Sequence, residues 1–215
     1  MADLIIPAHT TLPSGEIVAV GVSAEEFMEK YAADHYEWVR GMVIKMSPVS
    51  YRHELIIDYL RDLLKVYFLI NPIGKAAWGP VVMRLDTVES KREPDLMVIL
   101  NDNPGEFTDT AMIGAADICI EVVSRESRAR DYGDKFNEYK TGGVREYWII
   151  DPETRNADFY RLAASGDYEL IAPDAESHHT TPLLPNFKLH VPILWQQPLP
   201  DYFQIGDAVK AMFAD

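Results

Sequence analysis

Two apolar runs, at residues 95–100 and 117–123, constrain the fold of this chain more than any other feature. Each is bounded by polar turns, the pattern of a strand covered on both faces. Side chains of a strand alternate between faces, so Asp117, Cys119, Glu121 and Val123 point one way, and Ile118, Ile120 and Val122 the other. Each run also carries a carboxylate toward the interior, Asp95 at the start of the first and Glu121 near the end of the second. A buried carboxylate costs several kcal/mol unless a cation, a basic group or water meets it. If the two strands are neighbours, both carboxylates converge on one hard cation.

The rest of the chain dresses these strands. Residues 1–22 read as an extended arm, and Ser23 with Glu26 forms a capping box that opens a short helix to about residue 33. Residues 36–39 and 42–46 flank Arg40-Gly41 as a hairpin. Ile56, Leu60, Leu63, Leu64 and Tyr67 lie at helical spacing in a long helix over 50–70, stopped by Asn71-Pro72. Residues 76–85 read as a strand interrupted at Gly79-Pro80, and 101–116 as a loop with a short helix. A helix over 128–141 ends at Gly142-Gly143, and 145–150 is a third central strand. Residues 157–162 and 168–171 form an antiparallel extension, 182–191 is irregular, and 203–213 is a closing helix. This order predicts an α/β fold, a mixed central sheet with helices on both faces and an antiparallel extension. The expected division is an arm at 1–22, one domain at 23–195, and a C-terminal tail with a short helix at 196–215.

Charge bears on partners. A net charge of -14 argues against a nonspecific nucleic-acid coat, which rests on Lys and Arg neutralising phosphates. Locally the sign reverses: over residues 125–145, Arg125, Arg128, Arg130, Lys135, Lys140 and Arg145 outnumber Glu126, Asp131, Asp134 and Glu138. That segment is either a basic patch on an acidic body or a solvated helix laced with ion pairs. Cys119 is the single cysteine, expected in the core and unable to form an internal disulfide. No Lys/Arg-led apolar leader is visible and no apolar run approaches the roughly 18 residues that span a bilayer. A cytoplasmic protein without membrane partners is expected.

The two carboxylates suit Mg²⁺, which takes one or two carboxylates, several waters and phosphate oxygens. Such an ion polarises a scissile phosphate and lowers the pKa of an attacking water. A lysine nearby orients that water or stabilises developing negative charge. Other polar residues read more simply. Glu37 is a third acid for the site or an exposed hairpin residue, and His53 a core or helix-start histidine. His178-His179 lies in a polar loop without ligand partners, Ser124 has no histidine to build a triad with, and Tyr147 and Trp148 pack the core.

Several stretches together carry a family resemblance: Tyr36-Glu37 with Gly41, Met46-Ser47-Pro48 followed by His53, and Arg92-Glu93-Pro94-Asp95. Glu121-Val122-Val123-Ser124, Asp131 with Lys135 and Tyr139, and residues Gly143 to Trp148 complete it. In this order and spacing the chain resembles the PD-(D/E)xK nuclease superfamily and, more closely, the Uma2 family of restriction-endonuclease-like proteins. The resemblance implies a restriction-endonuclease-like core in which Asp95 and Glu121 hold Mg²⁺ or Mn²⁺. The superfamily lysine stands two residues after the acid, where this chain has Val123. Lys135, from the following helix, is the expected replacement, with Lys140 second. The expected function is therefore a metal-dependent DNA endonuclease with Asp95, Glu121 and Lys135 as its catalytic residues. The alternative is a non-catalytic DNA- or protein-binding or assembly protein on the same fold, and a third reading is hydrolysis of a non-nucleic phosphoester. The first 22 residues and the C-terminal helix are candidates for exchanging contacts in a homodimer.

Overall fold

The computed structural model describes residues 15–46 and 49–214. Its first half runs β1 (Glu16–Val20), α1 (Ala24–Lys30), β2 (Tyr36–Val39), β3 (Met42–Lys45), α2 (Tyr51–Ile70), β4 (Gly74–Trp78), β5 (Val82–Leu85), β6 (Ser90–Arg92) and β7 (Leu96–Leu100). Then come β8 (Glu106–Phe107), β9 (Ala111–Ile113), β10 (Ile118–Val122), α3 (Phe136–Gly142), β11 (Glu146–Asp151), β12 (Asn156–Leu162) and β13 (Tyr168–Leu170). A short pair, β14 (His178–His179) with β15 (Leu189–His190), and α4 (Tyr202–Met212) close the chain.

The apolar runs form the middle of a six-stranded mixed sheet in the order β13-β12-β11-β10-β7-β4. β10 and β11 are parallel, joined through α3, while every other pairing is antiparallel. The alternation read from the sequence decides which layer each residue enters. Ile118, Ile120 and Val122, with Leu96, Val98, Trp148 and Ile150, pack beneath α2 and α4. Cys119 and Val123, with Met97, Ile99, Tyr147 and Ile149, face Tyr139 of α3 and Met83 and Leu85 of β5. The mixed sheet with helices on both faces is thus as expected.

The helix boundaries follow local chemistry. Ser23 and Ser50 accept hydrogen bonds from the backbone N–H groups of Glu26 and His53, capping α1 and α2. Gly143, at φ +89, supplies the left-handed residue that ends α3.

Other expectations change. A second, seven-stranded sheet, β1-β3-β2-β6-β5-β9-β8, covers the α3 side. The segment at 76–85 is two strands in different sheets, β4 in the central one and β5 in the second, with the crossing at Gly79-Pro80. Residues 101–116 hold the strands β8 and β9 in place of the expected short helix. Thr108 turns the chain between them by bonding to Ala111, and β9 buries Ala111 and Met112 alongside β5. The closing helix α4 places Ile205 and Val209 in the core beneath α2, with the Phe213 ring on Tyr67, so its apolar stripe is used within the chain. The arm at 1–22 lies largely outside the described residues; its last part, β1, pairs with β3. Among the described residues no helix is long and apolar enough to cross a membrane.

Candidate functional site

Antiparallel pairing of β7 with β10 sets Val98 opposite Ile118, Met97 opposite Cys119 and Leu96 opposite Ile120. Asp95 directly precedes Leu96 and Glu121 directly follows Ile120, so the two carboxylates stand at the same end of the paired strands. The Asp95 Oδ2 atom accepts the Val122 N–H at 2.7 Å and lies 3.2 Å from His53 Nε2, at the start of α2. His53 is thus the expected buried, helix-start histidine, and its partner is Asp95. Burial lowers its pKa, but hydrogen bonding to Asp95 and the charges of Asp95, Glu54 and Asp131 outweigh this and raise it.

Lys135 arrives from a different direction. Residues Arg130–Lys135 form a π-helical turn ahead of α3, within the helix expected over 128–141. Residues five apart align in a π-turn, and Arg130 and Lys135 both reach Glu37, at 3.5 and 3.2 Å. The Lys135 Nζ lies 2.8 Å from Glu121 Oε1 and 3.7 Å from Asp131 Oδ1. Tyr139 donates its hydroxyl to the same Glu121 oxygen at 2.8 Å. The Lys135 side chain is 2% exposed and that of Glu121 3%, so the contact with Asp131 is not a solvent-side helix pair.

Glu37 is the largest surprise of the site. It is fully buried, and Arg92 Nη1 donates to its Oε2 at 2.8 Å. Arg92 in turn forks onto both oxygens of Glu138 at 2.8 Å each, and Ser90 donates to Glu138 Oε2. Burial alone would raise the Glu37 pKa, yet Lys135, Arg92 and Arg130 hold it well below the usual carboxylate range. The Lys135 ammonium keeps its proton because Glu121, Glu37 and Asp131 outweigh its burial. Glu121 moves the opposite way from Glu37: burial pushes it up against the pull of Lys135, and Asp95 and Asp131 push in the same direction as burial.

The remaining candidates separate. Lys140 pairs with Asp167 at 3.2 Å, away from the carboxylates. Val123 packs among Tyr139, Val144 and Ile149, an apolar surrounding in which an ammonium would lack partners. Ser124 bonds locally with Ser127. The basic segment does not form a free patch: Arg128 pairs with Asp151, Arg145 with Asp117, and Arg130 and Lys135 turn inward. His179, expected in a polar loop, is buried with its ring stacked on Phe159.

Asp95, its side chain 15% exposed, opens onto a cleft of about 450 Å³ lined by His35, His53, Arg61, Trp78 and Glu93. Sequence reasoning gave Glu93 no role of its own. Its Oε1 lies 3.2 Å from His35 Nδ1, and its Oε2 is buried without a hydrogen-bond partner. Gly79 lets the Glu93 carboxylate approach, since an added Cβ there would sit 2.4 Å from Glu93 Oε1.

The fold is thus a mixed α/β sheet with Asp95 just before β7, Glu121 on the neighbouring β10 and the Lys135 ammonium beside Glu121. The Uma2 family model, described as "Putative restriction endonuclease", matches residues 24–192, and the chain belongs to that family. The fold is similar to a crystal structure titled as a putative nuclease belonging to DUF820 from Anabaena variabilis. The TM-score is 0.67 at 17% identity, over 80% of this chain and 96% of that one. No curated protein matches the chain.

Asp95 and Glu121 offer carboxylate oxygens, the donor type that a hard divalent cation takes. Glu37, Glu121 and Asp131 each pair with Lys135, Glu37 and Glu138 pair with Arg92, and Asp131 Oδ1 is buried with no hydrogen-bond partner. The upward push on Glu121 from Asp95 and Asp131 is what a cation between carboxylates would relieve. Among the described residues no three His, Cys, Asp or Glu side chains are arranged to hold a metal ion.

Proposed function

We propose that this protein is a divalent-cation-dependent nuclease that hydrolyses phosphodiester bonds in DNA. Asp95 and Glu121 would hold Mg²⁺ or Mn²⁺, with water and phosphate oxygens completing the shell. The observation that carries the reading is the Lys135 ammonium, 2.8 Å from Glu121 on β10, the strand to whose Val122 N–H the Asp95 carboxylate is bonded. The ion, when bound, polarises the phosphate and lowers the pKa of the attacking water. The chain's own groups do the rest. Val122 N–H and His53 orient the Asp95 carboxylate by bonding Oδ2. Glu37 and Asp131 hold Lys135 charged and in place, so that its donors can meet the attacking water or the charge developing on phosphate. Lys135 thus supplies from the π-turn what Val123 cannot supply from the strand.

The near-complete burial of Glu121 and Lys135 favours a second reading, a binding or assembly protein in which the same groups form a structural network. One experiment separates the two. Purified protein is incubated with supercoiled plasmid, linear duplex and single-stranded DNA, with Mg²⁺ or Mn²⁺ and with a chelator, beside Asp95→Asn, Glu121→Gln and Lys135→Met. The nuclease reading expects metal-dependent cleavage reduced about 100-fold or more in each variant. Cleavage equal in wild type and Asp95→Asn would identify a contaminant and end it, while binding without cleavage would establish the second reading.

A further inference from the structure

The cleft beside Asp95 carries information about what reaches it. β4 is the edge strand of the central sheet, and its last residue, Trp78, pairs with Leu96, directly after Asp95. Trp78 is 37% exposed and lines the cleft together with His35, His53 and Glu93. From α2, the Arg61 guanidinium lies 5.4 Å from the indole centroid and the Lys65 ammonium 5.9 Å. Asp58 and Asp62, three residues before them, pair with Arg61 at 2.7 Å and Lys65 at 3.7 Å and help to hold both cations there. A half-exposed indole with two cations over its ring, paired with the residue next to a proposed metal ligand, resembles the stacking platform of single-strand binding sites.

Charge and size decide between substrates. Duplex binding draws its affinity from many phosphates neutralised at once, but the chain carries a net charge of -14, and Arg128, Lys140 and Arg145 of its basic segment are each paired with an acid. Affinity must then come from local contacts. A cleft of about 450 Å³ has the dimensions of a small-ligand pocket. Within an intact duplex both faces of a base are covered, so only an unpaired base can lay its face on an indole.

We infer that the cleft holds one unpaired nucleotide, its base stacked on Trp78 and its phosphate beside Asp95. The substrate is then single-stranded or locally unpaired nucleic acid, not intact duplex. This inference rests on the nuclease reading for its chemistry but not for its test. Wild-type protein in chelator is titrated into a short fluorescein-labelled single-stranded oligodeoxynucleotide and into the same sequence as duplex, with binding read by anisotropy. Single strand is expected to bind about tenfold or more tightly than duplex. Trp78→Ala should lose about tenfold of that affinity, and Trp78→Phe should keep most of it. Unchanged thermal melting of both variants excludes misfolding, as the exposure of Trp78 leads one to expect. Duplex binding as tight as single strand, or an Ala variant that binds single strand like wild type, would overturn the inference. Because no turnover is measured, single-strand binding through Trp78 by a protein that never cleaves leaves this inference standing and removes the nuclease reading. Cleavage confined to intact duplex does the reverse.

Discussion

Glu37 stays ionised in a fully buried position because Lys135, Arg92 and Arg130 surround it, and that balance makes it the residue most costly to remove. Truncating one member of a buried charge network leaves the others uncompensated, at about 3–5 kcal/mol. Glu37→Ala is therefore expected to lower the unfolding free energy by about that amount in urea titration. A loss below about 1 kcal/mol would mean that the three cations find other partners. Asp95 tests a different quantity. If it holds the ion, millimolar Mn²⁺ should raise the melting temperature of wild type by several degrees, since a ligand that binds only the native state stabilises by mass action. In Asp95→Asn the rise should vanish, and a shift of equal size in both proteins would place the ion elsewhere. This readout needs no catalytic turnover.

At the scale of elements, the π-turn determines where Lys135 points. Regular α-helix would align residue 130 with 134, whereas the π-turn aligns Arg130 with Lys135 on Glu37. Deleting Gly133 would leave Lys135 four residues after Arg130, the spacing at which a regular α-helix aligns them, so both side chains should still meet at Glu37. Helical content by circular dichroism and cleavage by the variant should therefore both stay close to wild type. A fall in cleavage of about 100-fold would mean that the π-turn positions Lys135 by more than its alignment with Arg130. The same comparison shows what could be read from residues alone. The β10 faces were legible because Ile118, Ile120 and Val122 alternate with Cys119, Glu121 and Val123, a period of two that only a strand explains. Lys135 was legible as a partner for the acids, but not the π-turn that aims it, since no residue in 130–135 marks the extra residue in the turn. Glu37 was not legible as a buried acid. β2 is four residues long, and its inward side is set by β6, which pairs with it from far along the chain. The second sheet escaped for the same reason, since most of its strands run two to four residues and carry little periodicity.

For the whole molecule, His179 ties stability to pH. Its ring lies 3.6 Å from that of Phe159 at an interplanar angle of 7°, with Trp148 edge-on at 4.8 Å, and neither ring nitrogen has a hydrogen-bond partner. Burial, aided by the positive charge of Arg161, pushes the imidazole down from 6.5 to about 3. A folded-state pKa below the unfolded value means that the unfolded chain binds the proton first. The neutral ring's full contribution is thus present above pH 6.5 and is lost as pH falls from 6.5 toward 3. The slope in that window is about 1.4 kcal/mol per pH unit. Burial raises Glu121 and Asp131, which act with the opposite sign, so wild type alone will not show this slope cleanly. Those groups are shared with His179→Phe, an aromatic replacement that keeps a ring between Phe159 and Trp148 and cannot titrate. The difference in urea-unfolding free energy between the two proteins should therefore be flat above about pH 7. Below about pH 6 it should grow in favour of the phenylalanine variant by roughly 1.4 kcal/mol per unit. A difference independent of pH down to about 4.5 would show that His179 accepts its proton in the folded state, and that its ring is not sealed between Phe159 and Trp148.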